Sequence, residues 1–260
     1  MVSRMLKVAI PVAVLAIPVL VRADDAPAPP PPPWVIKAQA GYVSSHGNTD
    51  AQTANAKLDV VYNVEAWKHE LQLAGLYGKA NDIVSAESLD AQWQSNYNLT
   101  HRLFVFGALH DADDKFSGFQ YQQTVSVGVG YSIIKLADAT LDAQVGVGYR
   151  RLRPEELIKD AAGDVISRLP EEVETGAVAT ANIKGMYAFN SSTKLTDVLA
   201  LESGSDNTLM QNDLGLQVSM SKILAITVGY EVKHNSSPPA GLVKTDTLVT
   251  FNLTYAFPMT

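Results

Sequence analysis

From Trp34 to Phe257 this chain places apolar side chains at every second residue, and that period leaves it little choice of fold. A strand points successive side chains to opposite faces, so period two makes a sheet with one apolar and one wet face. In DAQWQSNYNL, Leu89, Ala91, Trp93, Ser95, Tyr97 and Leu99 point one way, while Asp90, Gln92, Gln94, Asn96 and Asn98 point the other. LDAQVGVGY sets Leu141, Ala143, Val145, Val147 and Tyr149 against Asp142, Gln144, Gly146 and Gly148. ILAITVGYEV and LVTFNLTYAF repeat the pattern to the end of the chain.

Twelve such segments begin near residues 34, 51, 67, 87, 102, 121, 140, 174, 193, 208, 223 and 246. Their connections alternate in kind. SSHGNTD, GKANDIVSAES and HDADDKFSGFQ are long and polar, and Arg151–Glu174 is the longest. NVEA at 63–66, LTH at 99–101, KLADA at 135–139, FNSS at 189–192 and MSK at 220–222 are tight. An even strand number, with long loops at one end and short turns at the other, predicts a 12-stranded antiparallel up-and-down transmembrane β-barrel of outer-membrane type. Two other all-β folds compete, a lipocalin-like periplasmic barrel and a β-sandwich. Both would turn the apolar face inward and pack bulky residues into a core, whereas here the apolar face is broad and the other face, rich in Asp, Asn, Gln, Lys and Thr, is too polar for a dry core.

The tyrosines separate these alternatives. Of the 10 in the chain, only Tyr121 does not close the apolar face of a segment. Antiparallel order gathers Tyr42, Tyr77, Tyr149 and Tyr230 at one rim, and Tyr62, Tyr97, Tyr131, Tyr187 and Tyr255 at the other. Tyrosine is amphipathic and favours the boundary between acyl chains and headgroups, so two such girdles suit a membrane barrel. The pentapeptide VGVGY, at 127–131 and again at 145–149, belongs to this scheme. Its valines face lipid, its tyrosines sit at opposite rims, and its glycines leave room inside for curvature or for a crossing side chain.

The first residues fit export. Arg4 and Lys7 precede an apolar run from Val8 to Val21, and Val21 and Ala23 stand where a V-x-A cleavage motif requires them. We read residues 1–23 as a signal peptide. Pro11 and Pro18 interrupt the run, which is also short for a spanning helix. Residues 24–33 follow as a proline-rich periplasmic tether, stiff because proline fixes φ. The barrel then occupies 34–257 and a tail 258–260. Cleavage would remove three of the 20 basic residues and none of the 27 acidic ones, so the exported chain is more acidic than the formal −7 of the whole. Such a charge argues against nucleic acid as a partner. With no cysteine there is no disulfide framework and no thiolate nucleophile or metal ligand.

Three stretches carry a family resemblance: GYVSSHGNTDAQTANAK at Gly41–Lys57, WKHELQLAGLYG at 67–78, and RLFVFGALHDADDKFSGFQYQQTVSVGVGY at 102–131. With them the chain resembles the domain-of-unknown-function 481 family of bacterial outer-membrane proteins, some of whose members are described as salt-induced. The resemblance implies a Gram-negative outer-membrane barrel inserted by the barrel assembly machinery, with no established activity and no catalytic residues. Barrels of this kind commonly end on an aromatic residue, whereas here Phe257 is followed by Pro258-Met259-Thr260.

Strand parity turns a charged set toward the interior: Lys37, Lys57, Asp59, Lys68, Glu70, Asp90, Asp142, Arg150, Lys184, Asp213, Glu231 and Lys233. These line a selective pore or pair across strands and plug it; a barrel of twelve strands lies between the two size regimes. The functional expectation is a narrow, porin-like channel or a structural envelope barrel, in contact with outer-membrane lipid and open to small solutes, with no cofactor. The leading alternative is a lipid-acting hydrolase using His234 and Ser236, two residues apart on the apolar face at a rim. That chemistry needs a base within hydrogen-bond reach and a third group to orient it, and no third group is evident. A soluble periplasmic binding barrel is the other alternative. Asp111, Asp113 and Asp114 offer hard oxygen ligands, but Lys115 stands where a calcium loop needs another ligand.

Overall fold

The two VGVGY segments pair with each other. Val127 lies opposite Val147 and Gly128 opposite Gly146, in an antiparallel hairpin that forms one side of a closed barrel. The structure, a computed structural model, describes residues 32–45, 51–81, 83–115, 117–159, 165–205, 207–239 and 242–258. The expected signal peptide at 1–23 and most of the expected tether at 24–33 fall outside them.

Among the described residues there are thirteen strands: β1 (Trp34–Ser45), β2 (Ala51–Val64), β3 (Trp67–Ala80), β4 (Ile83–Asn98), β5 (Leu103–Asp114), β6 (Phe119–Lys135), β7 (Ala139–Lys159), β8 (Val165–Pro170), β9 (Glu174–Ala188), β10 (Thr193–Ser203), β11 (Thr208–Ser219), β12 (Leu224–Asn235) and β13 (Thr245–Ala256). Each barrel strand pairs antiparallel with its sequence neighbours, and β1–β13 pairing closes the circle. Twelve strands make the wall. The remaining one, β8, corrects the expectation of a single loop over Arg151–Glu174. There β7 runs on past the wall to Lys159, and β8 folds back on it from Glu155↔Pro170 to Lys159↔Val165. This hairpin, EELIK against VISRLP, mixes charged and apolar residues without a consistent alternation, so period two does not reveal it.

Both ends of the wall follow from local chemistry. At one end, here the turn end, β1 begins and β13 finishes, and five short connections join the other strands. Side chains brace several of these turns. Thr100 Oγ1 accepts from Leu103 N at 2.9 Å, Asn190 Oδ1 from Thr193 N at 2.8 Å, and Ser221 Oγ from Leu224 N at 3.1 Å. Such side-chain acceptors replace a missing backbone partner in a turn. Between β2 and β3, Glu65 has a φ of 51°, a left-handed conformation in which a side chain is strained.

Burial runs opposite to that of a protein with a dry core. The exterior is apolar, with Val127, Val129, Val145 and Val147 between 49% and 68% exposed. The enclosed residues are largely polar, among them Gln94, Asn96, Ser126, Arg150, Asn252 and Thr254. A closed sheet with an apolar outside and a polar inside pairs its strands with one another where they face lipid, which is what lipid demands. The fold is therefore a transmembrane barrel of outer-membrane type.

Candidate functional site

The interior is built from the alternate residues of each strand. Glu70 on β3 and Lys184 on β9 approach to 3.1 Å although their strands are far apart in the wall, so the contact crosses the lumen. Lys68 also pairs with Glu70, one rung closer to the turn end. Beside them, Gln94 on β4 and Gln144 on β7 exchange amide hydrogen bonds of 3.0 and 3.2 Å, and Gln94 also donates to Asn96 at 2.7 Å. A cavity of about 60 Å3 lies against Asp59, Glu70, Gln72, Gln92, Gln94 and Lys184. Its volume and polar lining suit water.

The glycines of the two VGVGY strands have a partner that sequence reading missed. Phe104 and Phe106 on β5 point inward and are almost fully buried. Phe104 lies opposite Gly130 and Phe106 opposite Gly128. A Cβ on Gly130 would run into the Phe104 ring, and one on Gly128 or Gly146 would meet Phe106. The glycines thus form a recess in which both rings lie against the wall, narrowing the lumen on that side only.

Toward the loop end the lining is more heavily charged. Arg150 pairs with Glu202 at 3.2 Å and donates to the carbonyl of Asn207 at 3.3 Å, while Thr124 donates to Glu202 at 3.1 Å. His110 Nε2 donates to Asp90 at 2.7 Å. Gln211 donates to Asp213 at 3.0 Å and to Glu231 at 3.4 Å, two carboxylates that face each other in register. Lys233 lies 3.3 Å from Glu231, and Lys57 lies 3.9 Å from Asp59. Nearer the turn end, Lys37 stands opposite Asp59, and Asp142 opposite Lys184. His110, Glu202 and the two glutamines were not in the charged set read from the sequence. Parity does place them inside, but Glu202 and the two glutamines find their partners two or more strands away, and His110 finds Asp90 on the adjacent strand.

At the mouth, Gly118, with a φ of 79°, lies between β5 and β6. A Cβ there would fall 2.8 Å from Pro239, and it would also strike Leu242. Pro239 and Leu242 belong to the β12–β13 connection, on the far side of the barrel in strand order, so the two connections meet over the opening. Phe119, Leu152 and Pro154 are buried, and Phe119 pairs with Pro154. Arg168 on β8 donates to the carbonyl of Lys115 at 3.2 Å, holding the added hairpin onto the same cap.

On the outer surface, Tyr62, Tyr97, Tyr131, Tyr187 and Tyr255 lie near the turn end and Tyr42, Tyr77, Tyr149 and Tyr230 toward the loop end. Four more rings join the first group. Trp34 stacks on Tyr62 at 4.2 Å, Trp67 lies 4.9 Å from Tyr97, Phe189 meets Tyr187 edge-on at 5.2 Å and Phe257 meets Tyr255 at 4.8 Å. Tyr121 instead holds the Arg151 guanidinium over its ring at 5.3 Å.

His234 and Ser236 are not brought together as a dyad. His234 Nδ1 bonds Thr245 Oγ1 at 2.8 Å, and Ser236 Oγ accepts from Thr208 N at 2.8 Å, so each side chain serves the strand end it sits on. Asp111 and Asp113 are exposed. Among the described residues no three His, Asp or Glu side chains are grouped to hold a metal ion.

A closed wall of twelve strands, an apolar exterior and a charged, partly wet interior define an outer-membrane barrel. The chain belongs to the family described as "Protein of unknown function, DUF481", whose model matches residues 38–257. A curated relative, uncharacterized protein YdiY of Escherichia coli (strain K12), is 24% identical over 240 residues, which make up 89% of this chain and 86% of that protein. Among solved structures, the NanC porin covers 86% of this chain and 100% of its own, at 16% identity and a TM-score of 0.45. The COG4313 outer membrane channel from Pseudomonas putida F1 covers 86% of this chain and 94% of its own, at 10% identity and a TM-score of 0.46.

Proposed function

We propose that the protein is a narrow, passive channel of a Gram-negative outer membrane, exported by a signal peptide cleaved after Ala23. On this reading the turn end faces the periplasm, the loop end faces outward, and the proline-rich segment before Trp34 tethers the barrel below the membrane. Outer-membrane lipid contacts the apolar wall between the two tyrosine bands, and the barrel assembly machinery inserts it. The cargo is a small hydrophilic solute or ion. The observation that carries the reading is the lumen lining. Charges of both signs bridge between distant strands, as Lys184 and Glu70 do, around space for water. A dry core would not hold two carboxylates such as Asp213 and Glu231 face to face with a single lysine, Lys233, beside them.

A structural envelope barrel is the second reading, favoured by the contact of Gly118 with Pro239 and Leu242 over the mouth. A lipid hydrolase is disfavoured, because the Ser236 hydroxyl is engaged by Thr208 rather than by His234. The deciding experiment is single-channel recording of refolded barrel in a planar bilayer. Discrete ion-selective steps support the channel. Silence from protein that migrates in its compact, unboiled form on a gel supports the structural barrel.

A further inference from the structure

One tyrosine closes no apolar face, and the structure gives it another use. Tyr121 on β6 lies opposite Arg153 on β7, and two residues nearer the turn end Gln123 lies opposite Arg151. Arg151 in turn lies opposite Thr175 on β9. All five share the outward parity of Tyr149. Gln123, Arg151 and Thr175 are exposed, side by side on three adjacent strands. Tyr149 belongs to the loop-end tyrosine band, and Arg151 follows it by two residues. A strand rises about 3.3 Å per residue, so the row stands roughly 7 Å beyond that band, at headgroup depth.

The two arginines are held in place but not neutralised. The Arg151 guanidinium lies over the Tyr121 ring at 5.3 Å, which fixes its direction and uses none of its N–H groups. Arg153 commits only Nε, to the carbonyl of Glu171 at 3.2 Å. Asp111, opposite Gln123, and Glu171 and Glu172 are exposed, yet among the described residues no carboxylate pairs with either arginine. Bases at the turn end are engaged differently: Arg102 donates to Ile133 O at 3.0 Å and Lys135 to His101 O at 3.1 Å.

Arginine presents a planar fork of donors that matches phosphate oxygens. Two such forks, flanked by an amide and a hydroxyl, match a dianionic phosphate monoester. Immediately below the row, Val125 and Tyr149 are 48% and 53% exposed, and Val127 and Val147 continue the apolar wall. A ligand with phosphate at the row and hydrocarbon against that wall is a lipid. The chain has 27 acidic and 20 basic residues, so its net charge repels an anionic surface and the attraction has to be local.

We propose that Arg151 and Arg153, with Gln123 and Thr175, form a docking site for the phosphate-monoester headgroup of a lipid in the leaflet at the loop end. The inference rests on the membrane-spanning wall and not on conduction, so a barrel that proves electrically silent leaves it standing.

Native mass spectrometry of the folded barrel in detergent micelles, titrated with diphosphorylated lipid A, tests it. Gel migration of the unboiled protein checks the fold of each variant. We expect the parent to hold lipid A at least tenfold more tightly than phosphatidylcholine, whose phosphate is a diester balanced by choline. Arg151→Gln/Arg153→Gln should lose that preference. Lys222→Gln, at an exposed base of the turn end, should keep it. Arg151→Lys/Arg153→Lys keeps the charge and loses the fork, so it should weaken lipid A binding severalfold, and it carries the test if the glutamine variant does not fold. Millimolar inorganic phosphate should leave the lipid bound. Equal affinity for the two lipids in the parent, or an unchanged preference in the arginine variants, would overturn the docking site. Displacement by inorganic phosphate would overturn it too, in favour of a free-phosphate site.

Discussion

Lys184 on β9 and Glu70 on β3 meet at 3.1 Å across the lumen, and Lys68 reaches the same carboxylate from the rung below. One acid thus holds two bases at a narrow level of the barrel. Neutralising the acid unbalances the level more than neutralising either base. Glu70→Gln should shift ion selectivity toward anions and Lys184→Gln toward cations. A barrier change of ~1 kcal/mol corresponds to about a fivefold change in permeability ratio. Reversal potentials under a salt gradient measure both. Shifts of the same sign in the two variants would place the pair away from the conduction path.

Phe104 and Phe106 lie in the recess left by Gly128, Gly130 and Gly146. Replacing Gly130 by Val should therefore force the Phe104 ring into the lumen or distort the wall, at a cost of roughly 1–3 kcal/mol. The urea midpoint for unfolding from vesicles should fall. Phe104→Ala combined with Gly130→Val should recover part of the loss, because the new side chain then occupies the space the ring has left. No recovery would mean that the glycine serves backbone curvature instead.

That pair also shows what was legible in the sequence. Alternation placed the glycines inside and the valines outside, because parity is local and follows from one strand alone. It also located the twelve wall strands, with β4 and β6 starting a few residues earlier than read, at Ile83 and Phe119. What fills the glycine recess depends on which residues of β5 stand opposite in register, a long-range fact that parity does not contain. The same holds for Gln94 with Gln144 and for Arg150 with Glu202, whose strands are not neighbours in the wall. The β8 hairpin was missed for another reason. Its residues leave the apolar wall, so neither face carries the period that marks the rest.

The contact of Gly118 with Pro239 and Leu242 narrows the loop end. Leu242→Gly removes the larger apolar group from this contact without touching the wall. We expect unchanged unfolding stability in vesicles and a larger or more frequently open single-channel conductance. Identical conductance in the variant and the parent would show that solute does not pass beneath this contact.

Asp197 points away from the lumen. Lys184, which reaches Glu70 inside, pairs with Val198, so Asp197 shares the outer face with Leu195, Leu199 and Leu201. There it accepts a hydrogen bond from Asn212 at 2.7 Å, and the same amide also donates to Val198 O at 3.3 Å. A carboxylate on the lipid face destabilises a barrel, less so than a basic residue at the same depth. Asp197→Leu should stabilise the protein by about 1 kcal/mol, read as a higher urea midpoint in vesicles. Asn212→Leu should do the opposite, because it leaves the carboxylate without its donor, a loss of ~1–3 kcal/mol. The double variant should be close to Asp197→Leu alone, since Asn212 then has less to satisfy. A destabilised Asp197→Leu would instead mean that this face meets protein rather than lipid, because buried polar pairs between membrane-embedded surfaces are favourable where lipid-facing charges are not.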